Sequence, residues 1–351
     1  MEREDGSVDN TQRAWLVRGA QYLLGAIAFV WVLRQIEWER AASLLSDVSL
    51  GTAAALVVVS AIGLLAALWM WHVLLDSVQD THFRAAADTG LIVRFINNLL
   101  PSRLSGRAVA PYVVHNRTGM AYSGAVAVAG VHTGLYALLY GFVALVGLVL
   151  GAGRLSLALA LVLVLSTALY AAAGTAVLLA GIHLGTVERI AGALETVASR
   201  VPIIGDRLSA LTGKLPAFSA ASADTFCALL GDPTAVLSYA AGFVLARLVA
   251  PGLRVWLVFE GLGIGFEPAL FLPIYLVMAY SVTLLPLTPG GVGVTEATAT
   301  AVFVALGVPE TVVVPAVFID RLLGTYLPAL IGWYPSLRID LSDLVKSPGP
   351  E

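Results

Sequence analysis

Six ionisable side chains stand inside otherwise apolar stretches: Arg94, Arg247, Arg254, Glu296, Asp320 and Arg321. A charged group at the centre of a bilayer helix costs roughly 2.5–3.5 kcal/mol on insertion scales, so such residues face inward, pair, or line a substrate path. Arg247 and Arg254 are seven residues apart and share one helix face. That face could offer guanidinium groups to a lipid phosphate, whose geometry they match bidentately; for Arg254, snorkelling to the interface is the alternative. Asp320 and Arg321 are adjacent, point to different faces and cannot pair with each other. Glu296 can pair with Arg321 or with Arg247, as a structural bridge or as part of a site. The run Pro289-Gly290-Gly291-Val292-Gly293 permits positive φ and close backbone approach. A helix starting near Thr295 at membrane depth would offer free N–H groups to an anion; a tight hinge for helix packing is the other reading. Asn97 and Asn98, shortly before Pro101, can satisfy freed backbone groups or touch a polar headgroup. The substrate-binding candidates are therefore Arg247, Arg321, Glu296, Asp320, Asn98, Pro289, Gly290, Gly291 and Gly293.

Other chemistry finds no support. His72, His82, His115, His132 and His183 lack metal-ligand spacing, and Cys227 is the only cysteine, so neither a disulfide framework nor a thiolate metal site can be built. No nucleophile elbow, phosphate loop or nucleotide fingerprint is present. The reading assigns no catalytic residue, no metal and no cofactor. A net charge of −3 argues against a nucleic-acid partner.

The elements that must position these residues are membrane helices. The chain is 58% hydrophobic and 12% charged, against about 45–50% and about 25% for soluble domains. Apolar blocks run over 14–33, 50–75, 121–150, 155–182, 233–259 and 311–334, each long enough to cross a bilayer. Trp69 and Trp71 fall where an interfacial aromatic belt is expected. Two segments, 91–114 and 272–307, are apolar stretches interrupted by proline and glycine. Backbone groups freed at membrane depth must be satisfied by protein or cavity water, so both read as broken or re-entrant helices. The expected fold is an all-α polytopic bundle of about six full transmembrane helices plus these two elements. Residues 1–13 and 335–351 read as cytoplasmic tails around a single transmembrane domain over 14–334, with an amphipathic cytoplasmic linker at 187–232. Arg84, Arg103, Arg107, Arg117, Arg189, Arg200, Arg207, Lys214 and Arg338 collect on the side of both termini, with Arg34, Arg40 and Arg154 opposite. The positive-inside rule then makes both termini of this multi-pass cell-membrane protein cytoplasmic.

The broken segments also resemble each other. Leu99-Leu100-Pro101 recurs as Leu284-Leu285-Pro286, and Gly106 and Gly291 each stand five residues after the proline. Each break leads into a short helix and then a long apolar block. Three crossings separate the two elements, which inverts the second unit. Repeats over about 50–182 and 233–334, with structural breaks at Pro101, Gly106 and Pro286, follow the plan of transporters whose broken helices meet near the midplane.

At these segments the sequence resembles the lysylphosphatidylglycerol synthase transmembrane family, also described as flippase-like or of UPF0104 type. LPLTPGGVGVTEA from Leu285 to Ala297, FIDRLLGTYLPALIG from Phe318 to Gly332 and FINNLLPSRLSGRA from Phe95 to Ala108 carry the resemblance. Gly106 is followed by Arg107 where the family's first signature has an acidic residue, and Val131-His132-Thr133 stands where its first half often carries glutamate-arginine. The family's membrane unit is sometimes fused to an aminoacyl-transferase or glycosyltransferase domain; here membrane helices consume the 351 residues. The resemblance thus implies the lipid-handling module, one that moves or handles an anionic or polyprenyl-linked headgroup, rather than an enzyme. The alternative is a non-transporting membrane partner of a lipid-modifying enzyme such as a glycosyltransferase. The expected partner is a membrane lipid with a phosphate headgroup, with such an enzyme or a second copy of the chain as further partners the reading allows.

Overall fold

The computed structural model describes residues 49–99, 109–183, 215–285 and 287–339. The expected first block at 14–33, the tail 1–13, most of the 335–351 tail, most of the 187–232 linker, and Pro101, Gly106 and Pro286 lie outside them. All regular structure among the described residues is helical. Five helices are long and apolar enough to cross a membrane: α1 (Leu50–Asp76), α4 (Tyr122–Leu150), α5 (Leu157–Ile182), α7 (Pro233–Gly261) and α10 (Glu310–Ser336). At 1.5 Å per residue each is about 40 Å long, more than the roughly 30 Å hydrocarbon core requires, which tilt accommodates. Val57, Val58, Ile62 and Leu65 on α1 and Leu161, Val164 and Leu165 on α5 are exposed, as a bilayer-facing surface demands. The chain is a multi-pass helical membrane protein.

Shorter helices fill the gaps. α2 (Phe83–Leu99) and α3 (Ala110–Thr118) flank the first break. α8 (Leu272–Tyr280) continues as a 3-10 turn over Ser281–Leu284, and α9 (Val294–Ala305) follows the second break. α6 (Leu215–Gly231), from the expected linker, packs one face on α4 and α5. Its Phe226 fills the space beside Gly130 and Gly181.

Contacts along the helices fix where each broken element enters. α2 begins beside the end of α1, where Phe83 packs on His72. α3 returns to that same end: Thr118 accepts a hydrogen bond from Gln79 at 3.2 Å, Arg117 pairs with Asp88, and His115 packs on Tyr122 at the start of α4. The second element enters from the opposite end. Tyr275 on α8 donates to the Leu150 carbonyl at the end of α4, and Met278 packs on Gly147. α9 returns there, with Phe303 against Phe259 and Phe266. The two elements thus enter from opposite ends, and the end of α2 meets the second break. A β-carbon on Gly290 would lie 3.0 Å from Asn98 Oδ1.

Each entering arm lies on the long helix of the other half. α2 packs along α10, where Gly332 admits the Leu91 backbone, and α8 packs along α4, where Gly147 admits the Ile274 carbonyl. Small residues let helices approach closely where hydrophobic burial offers no drive between them. This reciprocal packing holds the end of α2 against the Pro289–Gly293 break at mid-depth. One expectation needs correction. Trp69 is exposed, but Trp71 is buried and stacks on His132 at 3.9 Å, so it belongs to the core rather than to an interfacial belt.

The opposed entry is open to labelling. In a Cys227→Ser background, cysteines at the exposed Asp80 and Ala121 should react from one side of the membrane and those at Glu267 and Glu310 from the other. Labelling of Asp80 and Ala121 from opposite sides would show that the first element spans the bilayer.

Candidate functional site

The break in the second hairpin is built from glycine. Gly290, Gly291 and Gly293 have φ of 62°, 72° and 78°, a region that side-chain-bearing residues rarely enter. Thr288 closes the loop by donating to the Val292 carbonyl at 2.8 Å. α9 then starts at Val294, and Glu296 in its first turn accepts from the Gly293 N–H at 2.8 Å. The chain's own carboxylate thus answers the N–H of the N-cap residue Gly293.

Glu296 also reaches α10. Arg321 Nε donates to its Oε1 at 2.9 Å and Tyr326 Oη donates to the same oxygen at 2.7 Å. The Arg321 Nη2 donates to the Gly290 carbonyl at 3.0 Å, on the tip itself. Arg321 is 1% exposed. Of the two partners open to Glu296 in the sequence, Arg321 is the one it holds, and the pair clamps the hairpin tip to α10. Asp320, one residue earlier, points elsewhere. Arg254 donates to it at 2.8 Å and Tyr280 donates to its other oxygen at 2.8 Å. Arg254 is 4% exposed and does not snorkel. Its guanidinium lies against Gly324, where a β-carbon would sit 2.5 Å from Nη2.

Beside these clusters lies a polar chamber of two adjoining lobes, with space of about 40 and 60 Å³ for water centres. Arg94, Arg247, Gly324 and Thr325 line both. One lobe extends towards Arg254, Asp320 and Tyr280, the other to the hairpin tips at Asn97, Asn98 and Gly290. Arg321, Glu296, Gly291 and Gly293 are not among the lining residues, and nothing is described of the Pro289 side chain. Of the sequence candidates, Arg247, Asp320, Asn98 and Gly290 therefore meet at the chamber, while Arg321 and Glu296 hold its frame.

Two π-helical turns flank the chamber, Leu245–Val249 in α7 and Leu322–Tyr326 in α10. Each is followed by a proline, Pro251 and Pro328, four residues after Arg247 and Gly324. A proline has no N–H for the carbonyl four residues earlier, and π turns commonly occur at functional sites. The Gly324 carbonyl accepts from Arg94 at 3.3 Å. Arg247 lies over the Tyr136 ring at 5.2 Å, and its buried Nε has no hydrogen-bond partner. One turn before Tyr136 on α4, His132 stacks on Trp71 and meets Tyr239 Oη at 3.2 Å. Sequence reasoning missed Tyr280, Tyr326, Tyr136, Gly324 and Thr325 as site residues. The proline four residues downstream of Gly324 was the signal available for one of these positions.

Comparison with known proteins places this architecture. The family model for the lysylphosphatidylglycerol synthase TM region matches residues 19–332. The chain is similar to the UPF0104 membrane protein PH1989 of Pyrococcus horikoshii, 34% identical over 82 residues. That match covers 23% of this chain and 24% of the relative. No solved structure matches.

The two charge clusters and Arg247 should respond differently to truncation. Removing one partner of a buried ion pair costs about 3–5 kcal/mol, so Glu296→Ala and Asp320→Ala should each unfold far more easily in detergent. Arg247→Ala should cost no more than about 1 kcal/mol, the scale of its contact with Tyr136. Equal losses for all three, measured by chemical unfolding, would show that Arg247 is also a structural brace.

Proposed function

The chain belongs to the lysylphosphatidylglycerol synthase transmembrane-region family, and we propose that it moves an anionic lipid headgroup between leaflets. The observation that carries this reading is Arg247, an arginine at mid-depth with no acidic partner among the described residues, in a chamber bounded by the tips of two opposed hairpins. A guanidinium without a carboxylate partner inside a membrane protein is costly to keep, and a phosphate would supply the missing charge and acceptors. Arg94 lines the same space and adds a second guanidinium.

The hairpins give transport a geometry. Asn97 and Asn98 at the end of α2 and Gly290 in the second break line one lobe together, and the two arms that carry them enter from opposite ends. Rocking one repeat against the other opens the chamber to one side at a time, the motion expected of inverted repeats. Among the described residues, Arg84, Arg117 and Arg338 lie at the end where α4 begins, and Arg154 lies at the other. The positive-inside rule makes the former end cytoplasmic.

Reconstitution in vesicles with a fluorescent anionic phospholipid tests the reading. Wild-type protein should accelerate exchange between leaflets, and Arg247→Leu should slow it about tenfold or more, the loss expected for one charge-assisted hydrogen bond, while keeping its thermal stability. Arg321→Leu should lose both activity and stability, because it releases the hairpin clamp. A stable Arg247→Leu protein with full activity would remove Arg247 from the headgroup path.

A further inference from the structure

The tip lobe of the chamber carries more than positive charge. Two of its residues hold buried polar atoms with no hydrogen-bond partner: Arg247 Nε, a donor, and Asn97 Oδ1, an acceptor. Two of the neighbouring polar groups are already engaged, and Asn98 Oδ1 remains as a second acceptor on the wall. Asn98 donates its side-chain amide to the Arg94 carbonyl at 3.0 Å, and the Gly290 carbonyl accepts from Arg321. The Tyr136 ring beneath the Arg247 guanidinium keeps that cation beside the lobe. Buried polar groups are normally satisfied by protein, water or ligand, and the lobe's space of about 60 Å³ admits such a partner.

Building on the headgroup reading above, we infer that this lobe recognises a phosphodiester headgroup that also carries a hydrogen-bond donor, and that Asn97 selects for that donor. A phosphodiester oxygen answers Arg247. It has no hydrogen to give and would leave Asn97 Oδ1 unsatisfied. A hydroxyl or an ammonium on the same headgroup answers the amide oxygen. Headgroups lacking a donor therefore bind with one buried acceptor unanswered.

The test compares four lipids in proteoliposomes: phosphatidylmethanol and phosphatidylcholine, which lack a donor, phosphatidylglycerol, with hydroxyls, and phosphatidylethanolamine, with an ammonium. At least one donor-bearing lipid should move about tenfold faster than phosphatidylmethanol, the scale of one unsatisfied buried acceptor. A preference for phosphatidylglycerol assigns the donor as hydroxyl; one for phosphatidylethanolamine assigns it as ammonium. Asn97→Leu should shrink the preference to less than about twofold, and Asn97→Asp, which keeps the acceptor, should retain it. Arg247→Leu should slow every lipid. Equal rates for phosphatidylmethanol and both donor-bearing lipids, or an unchanged ranking in Asn97→Leu, would overturn the inference while leaving headgroup transport standing. If no lipid moves, the transport reading fails, and thermal shifts of the detergent-solubilised protein decide the recognition separately. Glycerophosphoglycerol or glycerophosphoethanolamine should stabilise it more than dimethyl phosphate, and Asn97→Leu should erase the difference; equal shifts would refute it.

Discussion

A break in a helix at membrane depth exposes backbone groups that lipid cannot satisfy, and the Arg321 guanidinium is this protein's answer to that constraint. One side chain donates to the Glu296 carboxylate, which caps α9, and to the Gly290 carbonyl at the hairpin tip. Tyr326 donates to the same carboxylate oxygen. The burial of an arginine is costly, and it is tolerated because every strong donor direction meets an acceptor. The glycines with positive φ, the self-capped α9 and the seat of the tip on α10 all depend on that arrangement.

The second cluster extends the same logic. Adjacent residues on α10 point to different sides, so Asp320 can bind Arg254 and Tyr280 while Arg321 binds the hairpin. α10 is thereby tied to α7, to α8 and to the tip at a single level. The carboxylates of both clusters are committed to arginines that the frame needs. Arg247 is left with an aromatic ring and an unsatisfied Nε. The division into a paired frame and a cationic chamber makes the site suited to an anion, and the opposed hairpins make it suited to one arriving from either leaflet.

Much of this was legible in the sequence. Continuous apolar runs of bilayer length have one stable form, so α1, α4, α5, α7 and α10 fall where the blocks predicted them. The Pro289–Gly293 run marks the second break because only glycine enters the left-handed region readily. Pairing was harder to read. Glu296 had two arginines within reach of the argument, and which one it holds is set by the rotation of α10 about its axis. Arg247 and Arg254, seven residues apart, do line one lobe together. Nothing in the sequence marks Tyr280 and Tyr326, whose hydroxyls meet carboxylates only through helix packing. Trp71 was misread because a tryptophan near a helix end suits an interface and a stacked core equally well in one dimension. Arg94 was marked as costly but not placed at the site, since its partner carbonyl lies 230 residues away.

The central claim is that a lipid headgroup occupies the space between the two hairpin tips. The most direct measurement is an experimental density map of the protein in lipid nanodiscs containing a phospholipid with a heavy-atom-labelled phosphate. The account predicts label density between Arg247 and Asn97, with Gly290 and Asn98 on the chamber's wall. A map in which both hairpins keep these positions but label appears only at the two bilayer surfaces would contradict it.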